Sequence, residues 1–185
     1  RCGATYGMSK RIEIIVVDGE RRLGNNLCLP AGPLREPTSR LNSVDFVISK
    51  ENPLRHEFKL SLIPDHFYQL IQPKIKKTLD YFHGKTLHAV AGIGNPDQFF
   101  NSLRKLNLKI IEHPFPDHYL FKPHDFSYGS DAIIIMTEKD AVKCVGFVDA
   151  RLWCLNTKTE LDTNLLNTVL KRVTTLNNNL KSSSG

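Results

Sequence analysis

The residues best equipped for chemistry stand together in His113-Pro-Phe-Pro-Asp-His118. An imidazole titrates near neutral pH and can take a proton from a hydroxyl. The two prolines remove ladder donors and forbid a helix, so the chain must leave any sheet here as a stiff loop. That loop follows the apolar run Leu108-Lys-Ile-Ile-Glu112, which reads as a short buried strand. Open α/β sheets hold their ligands at such strand ends. A proline turn with polar decoration is the plainer alternative. Among the seven histidines, His56, His66, His83 and His124 have polar or turn-like neighbours and no motif, and His88 lies inside a strand. His113 precedes a proline, and packing sets its orientation. His118 ends the turn beside Asp117, which is placed to brace it.

Three further groups could meet a phosphate. Arg35 and Glu36 sit between Pro33 and Pro37, in a backbone with little freedom, and a guanidinium held that way suits bidentate phosphate recognition; a loop-to-loop bridge is the competing reading. Gly92-Ile-Gly94-Asn95 leads into a helix with Asn95 as N-cap, Pro96 at the first position and Gln98 at the third. Exposed N–H groups at that start could hold an anion, or the segment is a tight turn. Thr137-Glu-Lys-Asp-Ala-Val-Lys143 follows an isoleucine-rich strand; Lys139 and Asp140 can contact a nucleotide, or Thr137 and Asp140 form a capping box. His83-Gly-Lys-Thr86 imitates the end of a phosphate loop, but Leu79 stands where that motif needs glycine. Asp97 stands where a dinucleotide fingerprint needs its third glycine, which disfavours a Rossmann site.

The elements that position these residues are α/β. The 185 residues are 41% hydrophobic, enough for one α/β domain or two small lobes, which excludes disorder as the main description. The four cysteines form no C-x-x-C pair, so neither a zinc site nor a disulfide framework is indicated, and a reducing cytoplasm is the simplest setting. No apolar run reaches membrane-spanning length. Lysine and arginine exceed aspartate and glutamate by 25 − 19 = 6, which favours an anionic partner. No nucleic-acid motif is present and aromatics do not interleave with the basic residues, so no nucleic-acid partner is expected. Strands are expected at 11–18, 44–48, 57–63, 87–91, 108–112, 131–136 and 151–155. Residues 65–82 read as two short helices or a kinked one around Pro73, 161–176 as an amphipathic helix, and 177–185 as a polar tail. The 11–18 run is apolar at nearly every position, as in a strand buried on both faces of a parallel sheet. Only one similar strand is near it, so a truncated chain with a missing sheet is expected, leaving an exposed edge or face.

Five ordered segments, Ile14 to Arg22, Leu29 to Pro37, Ala89 to Pro96 with Phe99-Phe100, Glu112 to His118 and Met136 to Lys143, resemble the tetraacyldisaccharide 4'-kinase family of lipid A biosynthesis. The resemblance implies the carboxyl-terminal part of a P-loop-kinase-like parallel sheet and a second small α/β lobe joined by a two-stranded linker. It implies residues 1–56 as a remnant of the core lobe, 57–156 as linker and second lobe, and 157–185 as a terminal helix and disordered tail. The implied activity is phosphorylation of the 4'-hydroxyl of tetraacyldisaccharide 1-phosphate by ATP with Mg. The setting is cytoplasmic, peripheral to the inner face of the bacterial inner membrane, with an anionic membrane surface and the acylated disaccharide as partners. His118 with Asp117 would be catalytic, and Arg35, Glu36, Gly92, Gly94, Asn95, Thr137, Lys139 and Asp140 would bind nucleotide. The family's P-loop and its Asp-Asp-Gly-x-Gln stretch are not found. The chain is therefore expected to need its missing amino-terminal half and to be inert alone, with metal ligands upstream. The alternative is a degenerate, non-catalytic nucleotide- or lipid-binding module.

Overall fold

The computed structural model describes residues 12–182, with side chains described through 175; Cys2, Arg11 and the stretch 1–8 lie outside the described residues. In chain order the strands are β1 (Ile14–Asp18), β2 (Phe46–Lys50), β3 (Phe58–Gln69), β4 (Lys76–Lys77), β5 (Thr86–Ala91), β6 (Lys109–Pro114), β7 (Ile133–Thr137) and β8 (Leu152–Leu161). The α-helices are α1 (Pro96–Lys105), α2 (Glu138–Lys143) and α3 (Thr163–Ser182). Two compact units divide the chain, Arg1–Leu62 with Thr159–Gly185, and Ile63–Lys158. β3 and β8 each run from one unit into the other, which is the two-stranded link expected from sequence.

In the first unit β1 pairs β2, and β2 pairs β3, all parallel. α3 lays Leu165 and Val169 against Phe46 and Ile48, with Phe58, Leu60 and Leu161 around them. The terminal helix is thus part of this unit's core. Its backbone continues to Ser182, past the expected start of the tail, because leucine and lysine among the asparagines let the helix propagate. β1 has β2 on one side and no second ladder among the described residues. Ile14 and Val16, on one face of β1, are 45% and 61% exposed, while Val17 on the other face is buried.

In the second unit β5 lies between β6 and β7, with β8 beyond β7, and these ladders are all parallel. Both faces are covered. Leu87, Ala89 and Ala91 of β5 and Ile135 of β7 meet Phe99, Phe100 and Leu103 of α1 on one side. Val90, Ile134 and Met136 meet Phe121, Phe126 and Ala141 on the other. Covering both faces is what allows runs such as Ile133-Ile-Ile-Met136 to be apolar throughout.

Three expectations are corrected. Residues 65–82 are not helical: β3 continues through Gln69, and Phe67 and Tyr68 pair with Lys77 and Lys76 of β4. The helical spacing of apolar residues there loses to cross-strand pairing and to Phe67, whose ring meets Phe82 edge-on at 5.2 Å. The chain does not leave the sheet at Glu112, because β6 extends through His113 and Pro114, opposite Val90 and Ala91. β6 is an edge strand, where a missing proline donor breaks no ladder. β8 runs on to Leu161, its Thr157 and Thr159 suiting a strand despite the polar surroundings.

Candidate active site

Because β5, β6 and β7 are parallel, the loops after Ala91, Pro114 and Thr137 emerge at one sheet edge. Asp140 is buried there, with no exposed surface. Its Oδ2 accepts the Gly92 N–H at 3.1 Å and the Thr137 hydroxyl at 2.8 Å. Its Oδ1 accepts Lys143 Nζ at 2.8 Å. Lys143 also donates to the Gly92 carbonyl at 3.0 Å and lies 5.6 Å from the centre of the Phe121 ring. Thr137 is the N-cap of α2, its Oγ1 accepting the Asp140 N–H at 3.2 Å. Gly92 sits in close quarters: a Cβ there would lie 3.1 Å from Phe121 and 3.3 Å from Asp140, so those side chains would have to give by a few tenths of an ångström. The β7–α2 turn and the β5–α1 loop are therefore one clamped body. Gly94 and Asn95 continue that loop to α1, where Pro96 occupies the first turn and Asn95 makes no side-chain cap bond. Lys139 projects from the same turn and is exposed.

The β6 exit is held from below. Phe115 N–H donates to the Ala91 carbonyl at 2.8 Å, and its ring packs on Tyr119 and Phe121. His113 Nε2 and His88 Nδ1 lie 2.9 Å apart, and the Tyr128 ring stacks on both imidazoles, at 4.5 Å from His88 and 4.1 Å from His113. Above this base the chain turns outward. Asp117 Oδ1 accepts the His118 N–H at 3.0 Å, so Asp117 braces the turn. His118 has φ +59° and its side chain is 92% exposed. A non-glycine residue in that left-handed region is uncommon and marks a place where the surroundings impose the backbone. His118 Nε2 is 3.8 Å from Asp117 Oδ2, beyond hydrogen-bond range.

In the first unit Arg35 is exposed and makes no hydrogen bond or ion pair with a described residue. Glu36 pairs with Arg40 at 3.0 Å. By contrast, Arg22 is fully engaged, its two terminal nitrogens donating to the two Glu57 oxygens at 2.8 and 2.6 Å. Burial pushes the Cys144 and Cys154 thiols up to about 12, which removes them as nucleophiles at neutral pH. No group of three or more His, Cys, Asp or Glu among the described residues is arranged to hold a metal.

Structure thus brings Gly92, Thr137 and Asp140 into one cluster, sets Asp117 and His118 on a neighbouring loop, and puts Arg35 and Glu36 in the other unit. Sequence reasoning left out Lys143, although its spacing of three from Asp140 on a helix was a signal. It also left His88 and His113 as unrelated core residues. Parallel pairing of β5 with β6 was the missing link, and nothing local announces it.

Comparison with known proteins decides the family. A family model described as "Tetraacyldisaccharide-1-P 4'-kinase" matches residues 5–175. The chain belongs to the tetraacyldisaccharide 4'-kinase family. Among curated relatives bearing that name, the one from Methylobacillus flagellatus is 42% identical over 172 residues, covering 92% of this chain and 51% of the relative. The one from Coxiella burnetii strain RSA 331 is 48% identical over 151 residues, covering 82% and 43%. The chain spans about half the length of the curated relatives it matches. It is also similar to the crystal structure of the "apo" form of LpxK from Aquifex aeolicus in complex with ATP. There the TM-score is 0.63 at 23% identity, covering 88% of this chain and 52% of that one. Family membership and this likeness agree on a mostly parallel, P-loop-kinase-like α/β fold.

Proposed function

We propose that this chain forms part of an enzyme that transfers the γ-phosphoryl group of ATP to the 4'-hydroxyl of a tetraacylated disaccharide 1-phosphate. The observation that carries the reading is the Asp117-His118 turn: an exposed imidazole, in imposed backbone geometry, on a loop whose base is rigid. His118 takes the hydroxyl proton on a ring nitrogen while the hydroxyl oxygen bonds to the γ-phosphorus and the bond from that phosphorus to the ADP oxygen breaks. Asp117 holds the turn. Lys139 supplies an exposed cation to phosphate oxygens; in the first unit Arg35 is an exposed guanidinium suited to phosphate, and Glu36 steadies its segment through Arg40. The start of α1, which Gly94 and Asn95 lead into, adds a positive helix end. Gly92, Thr137 and Asp140 shape that loop from behind. Magnesium, when it accompanies ATP, neutralises phosphate charge; no described residue is assigned to it.

Acyl chains on the substrate and the excess of six positive charges fit work at an anionic membrane surface, on the inner face of the bacterial inner membrane. No helix among the described residues is long and apolar enough to cross a membrane. By itself the chain does not turn over ATP, since it has no phosphate-cradling loop. The test is transfer of labelled phosphate from ATP to the lipid by the full-length protein, with His118→Ala beside it. No transfer by the wild type, or full transfer by the variant, overturns the reading.

A further inference from the structure

The mechanism uses His118 but leaves two other histidines of the same unit without a task. His88 on β5 and His113 on β6 face each other with 2.9 Å between Nδ1 and Nε2 and ring planes 14° apart. The Tyr128 ring covers both, at 10° to His88 and 24° to His113. At this distance one nitrogen must carry the proton and the other the lone pair. No carboxylate shares the arrangement. On the far face of β6 Glu112 is taken by Arg104, towards β8 Arg151 is paired with Asp149 and bonds the Gly129 carbonyl, and Asp125 acts on Tyr128. Burial holds both imidazoles below their ordinary value, and the neighbouring His88 lowers His113 further, so the pair is uncharged near neutral pH.

We infer that His88 and His113, clasped under Tyr128, are positioning residues that fix the β6 exit and thereby the reach of His118, and that a second proton on the pair releases them. One added proton leaves an imidazolium donating to an imidazole, so the bond survives. Two added protons set N–H against N–H and like charge against like charge in a half-buried place, and the rings must part. His113 is two residues before Phe115, whose N–H anchors the exit on Ala91. Parting the rings therefore loosens the segment that ends in Asp117 and His118.

The inference rests on the reading of His118 as the base, and the test separates the two. Imidazole NMR of the full-length protein is expected to show His88 and His113 titrating in two coupled steps, with the His118 ring signals moving at the second step. Independent, single titrations of the two rings, or His118 signals unmoved at the second step, overturn it without any activity measurement. In kinetics, His88→Phe keeps a ring for Tyr128 but loses the bond; kcat is expected to fall about tenfold with KM for ATP unchanged. His88→Asn places an amide N–H near the position of Nδ1 and does not titrate; it is expected to keep kcat within about threefold and to lose the extra steepness that the second proton on the pair adds to the acid limb. Wild-type kcat in a folded His88→Phe protein, or an unchanged acid limb in His88→Asn, overturns the inference. If coupling and the His118 response are seen but no variant or wild type transfers phosphate, the clasp stands and the kinase reading falls.

Discussion

Asp140, in the first turn of α2, and Asp117, on the loop after β6, are carboxylates at the same sheet edge, yet their environments are opposed. Asp140 has no exposed surface, and its two oxygens take bonds from Gly92, Thr137 and Lys143. Asp117 is 54% exposed and spends one oxygen on the next residue's N–H. Arg22 and Arg35 repeat the contrast in the other unit, the first bidentate to Glu57 and the second without a described partner. Buried polar groups must be satisfied internally or they cost stability. A group fully satisfied by its own protein has little left for a ligand. In this chain the saturated residues hold loops still, and the unsaturated neighbours on those loops are free to act.

The largest expected effect breaks the scaffold side of that contrast. Asp140→Ala leaves Lys143 without its anion and Gly92 N–H without its acceptor. Removing one member of a fully buried pair costs about 3 to 5 kcal/mol; because the Lys143 side chain is 21% exposed, a loss near the lower end, about 3 kcal/mol, is expected, read as a lower urea midpoint of the chain. A loss below about 1 kcal/mol would mean that the carboxylate does not hold the loops. Next comes the acting side: His118→Ala in the full-length protein is expected to lower kcat by ~10²-fold or more, as lost general-base assistance does, with the urea midpoint unchanged. A variant that kept kcat and lost stability would move His118 to the scaffold. For Arg35→Lys the expectation is smaller, roughly a tenfold loss of kcat/KM for ATP, because the charge stays and the two-pronged contact goes. Wild-type kinetics would leave Arg35 as one more surface cation.

Sequence made the parallel core legible, since a run such as Ile133 to Met136 can be apolar throughout where a sheet is covered on both faces; the same pattern at Ile14 to Val17 misleads on coverage, because Ile14 and Val16 are exposed. A stiff turn at Asp117-His118 was legible in outline, but the prolines misplaced its start, since β6 runs on through Pro114. What stayed hidden depended on pairing between distant segments. Phe67 carries a helical spacing yet joins β3, since its partners are Lys77 and Phe82. Pro114 reads as a strand breaker until β6 is known to be an edge. His88 and His113 are 25 positions apart, and only the β5–β6 register makes them neighbours. Of the two readings open for Thr137 and Asp140, the local cap is present in the Asp140 N–H bond to Thr137 Oγ1, but the reach of Asp140 to Gly92 crosses 48 positions, beyond any local signal.

The smallest effect tests whether saturation alone makes a residue structural. Glu57 has a side chain 9% exposed, takes both terminal nitrogens of Arg22 and accepts the Leu54 N–H at 2.9 Å. The Arg22 guanidinium, foremost, and then the Leu54 N–H hold its carboxyl below the usual glutamate range, against the opposing pull of burial. A depressed carboxylate contributes stability that is fully present above the unfolded-state value of about 4.3 and is lost as pH falls through the folded-state value. Glu57→Gln should therefore cost about 1 kcal/mol at pH 7, the scale of a charge-assisted bond partly open to solvent. In more acidic solution, below about pH 4.3, wild type loses the same contribution, so the gap between the two urea midpoints should close. Glu57→Gln should leave kcat of the full-length protein unchanged, because Arg22 and Glu57 spend their bonds on each other. A gap that stays constant with pH would show that packing rather than charge sets the difference. A fall in kcat with stability intact would show that a saturated pair can still act on substrate, and would end the division between holding and acting residues drawn from Asp140 and Asp117.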